Sequence, residues 1–218
     1  TDKYPNIKYQ KLEQNIGADR NITKAMLMGS GKYLKLQNDN VYIKDEMLTK
    51  ILDIIKNNIS TNVQLLFYQN NQFHSNETIV CKNINELVSA ASFWITWIAN
   101  FGIWRADFEN LENKNRCADL RFNQVDWTLR MIDKKNGTII HFDDFYYLNE
   151  DKYKGGYNLF QTFSVDYLSI YDEYLNTGKL DKKIFEKEKY QLMRYFFYRW
   201  LYYLNFVNVN YNFEVEDA

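Results

Sequence analysis

Proline occurs once in the 218 residues, cysteine twice and histidine twice. Cys81 and Cys117 are too few for a disulfide framework and too widely spaced for a zinc ligand set, so no covalent or metal staple is expected. Charge of one sign is also missing. With 27 basic against 28 acidic residues the net is −1, which argues against a whole-protein electrostatic grip on DNA or RNA. The start, Thr1-Asp2-Lys3-Tyr4-Pro5, lacks the basic segment, apolar run and small-residue cleavage site of a signal peptide. A cytosolic product with unused thiols is the expectation.

What is abundant is apolar and aromatic. The 46% apolar and 17% aromatic content is that of a folded chain rather than a disordered one, and a chain this long buries roughly 70% of the surface its unfolded form exposes. Phe, Tyr, Met, Ile, Asn and Lys together make 102 residues, 26 of them Asn, a bias of AT-rich coding that by itself names no function.

Periodicity predicts an α+β fold, a mainly helical core with a β-hairpin and extended N- and C-terminal segments. Residues 1–40 show no sustained period and read as an extended arm. Leu48, Ile51, Leu52, Ile55 and Ile59 follow helical spacing from Asp45, and the run 63–68 reads as a strand. Asn83 followed by Glu86 has the logic of a capping box and predicts a helix over 84–101. The stretch Leu87–Trp104 carries no charge for 18 residues, the length of a membrane span. Ser89, Ser92, Thr96 and Asn100 line one face of it and favour a buried helix, so no membrane partner is expected. Val125, Trp127, Leu129 and Met131 alternate with polar residues before the turn-forming Asn136-Gly137, which predicts a hairpin over 122–146. Helices follow from Ser164 to about Asn176 and from Asp181 to about Leu204. The domain division is thus an arm (1–40), one domain (41–204) and a strand-like tail (205–218), in which Val207, Val209, Tyr211, Phe213 and Val215 alternate with Asn and Glu.

Candidates for chemistry are weak. Gly29-Ser30-Gly31-Lys32 lacks the earlier glycine and the following Ser or Thr of a phosphate loop. His141, Asp143 and Asp144 have metal-compatible spacing, but on a strand residue 144 faces away from 141 and 143. A small hydrolase or nuclease using that cluster is one alternative. Another is nucleic-acid binding by the stretch 179–199, where seven basic residues interleave with aromatics such as Tyr195 and Tyr198. Lys/Glu alternation there, Glu186 and Glu188 included, reads equally as a solvated face. No catalytic, metal or cofactor residue is assigned.

Surface for other chains is the stronger signal. An alternating terminal strand without protecting charge or proline over 205–213 either pairs within the chain or adds to a neighbour. Partner-binding residues are expected in it, at Val207, Val209, Tyr211, Phe213 and Val215, and on the last helix, at Tyr195, Tyr198, Trp200 and Tyr202. In its arm at 1–40, its helical middle at 45–101, the turn at Asn136-Gly137 and the tail Asn205–Phe213, the chain resembles head–tail connector and ring proteins of tailed bacteriophages of the crAss-like, AT-rich kind. That resemblance implies a non-catalytic virion subunit assembled in the host cytoplasm. It further implies a ring of copies, twelve in connectors, with portal or tail proteins as neighbours and DNA passing through without sequence-specific binding.

Overall fold

The structure is a computed structural model that describes residues 4–61, 63–135, 137–148, 154–207 and 211–214. The order of elements is α1 (Ala18–Met28), β1 (Tyr33–Lys35), β2 (Val41–Ile43), α2 (Asp45–Asn57), β3 (Gln64–Gln69), β4 (Glu77–Cys81), α3 (Ile84–Ala91), β5 (Gly102–Trp104), α4 (Arg105–Glu109) and α5 (Asn123–Lys134). Then come β6 (Thr138–Asp143), β7 (Tyr146–Leu148), β8 (Lys154–Asn158), α6 (Tyr167–Ser169), α7 (Asp172–Asn176), α8 (Lys182–Gln191), α9 (Tyr198–Phe206) and β9 (Tyr211–Glu214). The fold is mixed α/β with helix predominating, and its strands form several small sheets.

The largest sheet has the order β3-β6-β4, with β6 parallel to β3 and antiparallel to β4. β3 is buried over Gln64–Tyr68, so both its faces are covered, as its unbroken apolar run requires. Leu66, Tyr68, Ile140 and Phe142 face the larger core with Leu87, Trp127, Tyr167 and Leu192. Leu65 and Phe67 face a smaller one with Val41, Ile51, Ala99 and Phe145. The sheet therefore divides two cores.

Several local expectations hold. Asn83 caps α3 by accepting the Glu86 amide at 3.0 Å, and Glu86 accepts the Lys82 amide in return at 2.8 Å. α2 forms where the spacing predicts it, although only Ile51 of its apolar face is buried, Leu48 and Leu52 stay exposed, and Ile59 lies exposed beyond its end. Gly178, at φ +70°, follows α7 in the left-handed conformation that ends helices.

Three expectations are corrected. Residues 123–134 are a helix, so no hairpin spans 122–146; β6 pairs instead with β3 and β4. The alternation at 125–131 misled because Gln124, Asp126 and Thr128 are buried as fully as their apolar neighbours. The helix expected over 84–101 stops at Ala91. Ser92 turns the chain at φ +47°, and short 3₁₀ turns follow over Ser92–Thr96 and Ile98–Asn100. Among the described residues no helix is long and apolar enough to cross a membrane. The segment 1–40 is an arm only in its first part. α1 docks through Asp19, whose carboxylate accepts the first amide of α5, Asn123, at 2.8 Å, and through Thr23, which donates to Asn115 at 2.7 Å. β1 then pairs with β5. Of the two outcomes open for the tail, pairing within the chain or addition to a neighbour, its described part, β9, takes the first, pairing in parallel with β8.

Candidate interaction surface

The last helix is continuous from Lys182 to Phe206, α8 passing into α9 through a π-helical stretch at Leu192–Phe197. An aromatic-rich helix of this kind buries one stripe and leaves the rest for other neighbours. Its inner stripe runs through Glu188, Gln191, Leu192 and Phe197, with Phe196 packed on Phe163 at 4.2 Å and on Phe93 at 5.6 Å. Beyond the π stretch the inward contact thins to Trp200, whose ring meets Phe213 edge-on at 5.3 Å.

The exposed side of the helix carries Arg194, Arg199 and Asn205 interspersed with six apolar side chains, Tyr190, Met193, Tyr198, Leu201, Tyr202 and Phe206. All six are exposed, Tyr198 by 72% and Phe206 by 78%. No residue of α9 is buried. Tyr202 and Phe206 pack on each other at 5.6 Å, and the Arg199 guanidinium lies over Tyr203 at 5.5 Å, so the face is ordered by its own contacts.

The residues expected to bind partners divide accordingly. Tyr198 and Tyr202 lie on the exposed face, and Tyr195 beside it, its ring braced edge-on by Phe73 at 5.2 Å. Trp200 and Phe213 are spent inside the chain, Phe213 sitting between Trp200 and Tyr157. Val207 is half-buried at the helix end, and Tyr211 pairs with Lys154 in the β8–β9 ladder. Val209 and Val215 lie outside the described residues.

The chemical candidates fare differently. Lys50 pairs with Asp143 and Lys44 with Asp144, so both carboxylates are neutralised by separate lysines. His141 contacts Thr78 through Nδ1 at 3.0 Å and stacks on Phe67, and burial, with the Lys50 charge, holds its pKa below the usual value. A surface cleft of about 360 Å³ lies beside them, lined by Lys50, Glu77, Thr78, His141 and Asp143. Among the described residues no group of three His, Cys, Asp or Glu side chains could hold a metal. Cys81 and Cys117 are buried thiols, their pKa values pushed up by burial to about 12 and about 11, which makes them inert at neutral pH. Ser30 of the Gly-Ser-Gly-Lys turn accepts from Arg105 through its carbonyl at 3.0 Å, a structural link between the α1–β1 turn and the start of α4. In the basic stretch, Lys189 pairs with Glu186 at 2.8 Å and Lys179 with Asp133 at 2.7 Å, whereas Lys182, Lys183 and Lys187 stay exposed.

Besides Asp19 and Asp126, the buried Glu188 and the half-buried Lys35 escaped the sequence reading. Glu188, expected on a solvated face, is 1% exposed and accepts from Ser92 at 2.6 Å and from Tyr167 at 2.8 Å. Lys35, pushed down by burial to a pKa of about 7, spends its amine on the carbonyls of Ala99 at 2.6 Å and Leu36 at 3.1 Å. Neither lines the cleft. Their burial follows from tertiary packing, for which the local sequence carries no signal. The chain matches no protein-family model, and no curated protein is significantly similar to it.

Proposed function

We propose that this chain is a non-catalytic assembly subunit that docks against neighbouring protein through the outer face of its last helix. The observation that carries this reading is α9, nine residues of which none is buried while five large apolar side chains, Tyr198, Leu201, Tyr202, Leu204 and Phe206, are exposed. Several large exposed apolar side chains on one short helix mark a contact site more often than an isolated exposed leucine does. Removing the exposed parts of Tyr198, Tyr202 and Phe206 from water contributes about 1–2 kcal/mol each. Aromatic side chains are favoured at interface centres for that reason. A head–tail connector or tail ring of a virion is the assembly that the sequence resemblance implies, with subunits held by apolar area and no reaction performed.

The test is a double variant, Tyr198→Glu with Phe206→Glu. Neither side chain supports the core, so the thermal midpoint should stay within about 2 °C, the shift expected of surface changes. The native mass should drop to that of a monomer. An unchanged assembly with both charges in place would refute the proposal.

A further inference from the structure

The main sheet has two edges, and the chain treats them differently. On the β3 edge, alternate carbonyls are capped by aromatic side chains: Val63 by the Trp104 indole at 2.6 Å, Leu65 by the Tyr33 hydroxyl, and Phe67 by the Tyr146 hydroxyl at 2.9 Å. That edge is closed to another strand. β4 forms the other edge, and its geometry shows which backbone groups point outwards. The Cys81 carbonyl faces Gly137, at the start of β6, whereas the Lys82 amide turns away from the sheet to Glu86. Backbone directions alternate along a strand, so Thr78 and Val80 share the outward direction of Lys82. Among the described residues no strand pairs with this outer edge of β4, and both side chains are exposed.

The same chain carries a segment with complementary needs. Residues 7–12 run without helix, strand or turn between a turn at 5–6 and a bend at 13–14, and all but the half-buried Leu12 are exposed. Among the described residues the backbone of 8–12 makes no hydrogen bond. Its fixed point is Lys8, whose amine donates to the Met28 carbonyl at 3.2 Å and to the Ser30 hydroxyl at 3.3 Å. Ile7 and Tyr9 alternate with Lys8 and Gln10, as a strand over a half-covered sheet requires. Lys8 and Lys11 give it positive charge, and exposed Glu77 opens the β4 edge. Six residues, 7–12, span roughly 20 Å when extended, which matches the roughly 17 Å length of a five-residue strand.

From this we infer that the N-terminal segment of one copy, residues 7–12, adds as a strand to the free β4 edge of a second copy. The inference rests on the assembly reading only in taking the occupant from another copy. Main-chain hydrogen bonds to Thr78 and Val80 supply the contact, and Ile7 and Tyr9 cover Val80 and Ile139. Such a contact joins two different surfaces of the same molecule, the head-to-tail kind that closes into rings.

The test is amide hydrogen exchange at Thr78 and Val80. In the assembled full chain both amides should exchange about tenfold or more slowly than in a chain lacking residues 1–14. A synthetic peptide of residues 4–14 should restore the protection to the shortened chain. N-methylating that peptide at alternate backbone positions, Ile7, Tyr9 and Lys11 in one version and Lys8, Gln10 and Leu12 in the other, leaves the protein untouched. One version should lose the effect and the other keep it. If Thr78 and Val80 exchange equally fast in the full assembly and the shortened chain, the inference is overturned while docking through α9 stands. If the Tyr198→Glu, Phe206→Glu variant assembles normally and the amides remain protected, the docking proposal falls and strand addition stands.

Discussion

Replacing Glu188 by Gln tests the packing around the last helix by its pH dependence. The carboxylate is buried beneath α3 and its following turn, accepting from Ser92 and Tyr167, with Tyr171 bonded to Tyr167 at 2.8 Å behind it. Burial pushes its pKa from 4.5 up to about 7 against the opposing pull of the two hydroxyls and of Lys187. Between those values the folded chain holds a proton that the unfolded chain has lost, so this group's contribution favours folding at low pH and is lost as pH rises. The interval corresponds to roughly 3 kcal/mol, forfeited progressively from pH 4.5 to pH 7. Gln is neutral throughout and keeps an oxygen for one hydroxyl while its amide meets the other. A mismatch in that exchange costs about 1 kcal/mol. Urea unfolding of both proteins from pH 4 to pH 8 should find the variant about 1 kcal/mol the less stable at pH 4 and about 2 kcal/mol the more stable at pH 8. Parallel curves over the whole range would refute the buried, protonated Glu188.

Asp126, fully buried on α5, bonds Arg116 at 2.5 Å and Arg130 at 2.8 Å. Asp126→Ala removes the buried carboxylate shared by two guanidinium groups, leaving Arg116 with Glu173 at 3.0 Å and Arg130 with the Glu112 carbonyl at 2.7 Å, and should cost about 3 kcal/mol in denaturant unfolding; a loss below about 1 kcal/mol would contradict the pairing. A Cβ on Gly102 would collide with the Tyr33 ring, so Gly102→Ala should destabilise by about 1–3 kcal/mol and expose the Leu65 carbonyl that Tyr33 caps. Phe213→Ala should alter Trp200 fluorescence by removing its edge-on neighbour, while lowering the global unfolding free energy by less than about 1 kcal/mol. A large global loss would mean that β9 belongs to the cooperative core rather than to its margin.

Much of the local structure was legible because it obeys local rules. Asn83 and Glu86 sit one turn apart, and the apolar positions of α2 repeat at helical spacing, so cap and helix could both be read. The strand at 64–69 announced itself by an unbroken apolar run. α5 could not be read because burial there is independent of polarity: Gln124 donates to the Thr96 carbonyl at 2.8 Å, Asp126 meets two arginines, and Thr128 turns back to its own helix. α1 was hidden for the same reason, being held by Asp19 and Thr23 through contacts to residues about a hundred positions away in the chain. The exposed aromatic face of α9 was legible only as an aromatic surplus. Which of its rings turn inward depends on the π stretch and on Phe213, both set by tertiary contacts.

The central claim is that the outer face of the last helix is contact surface. It is tested most directly by sedimentation of the unaltered, purified chain over a range of concentrations. The account predicts a concentration-dependent rise from monomer to a discrete larger species, lost in the Tyr198→Glu, Phe206→Glu variant. A single monomeric species at every concentration, with Tyr198 and Phe206 open to solvent throughout, would contradict it.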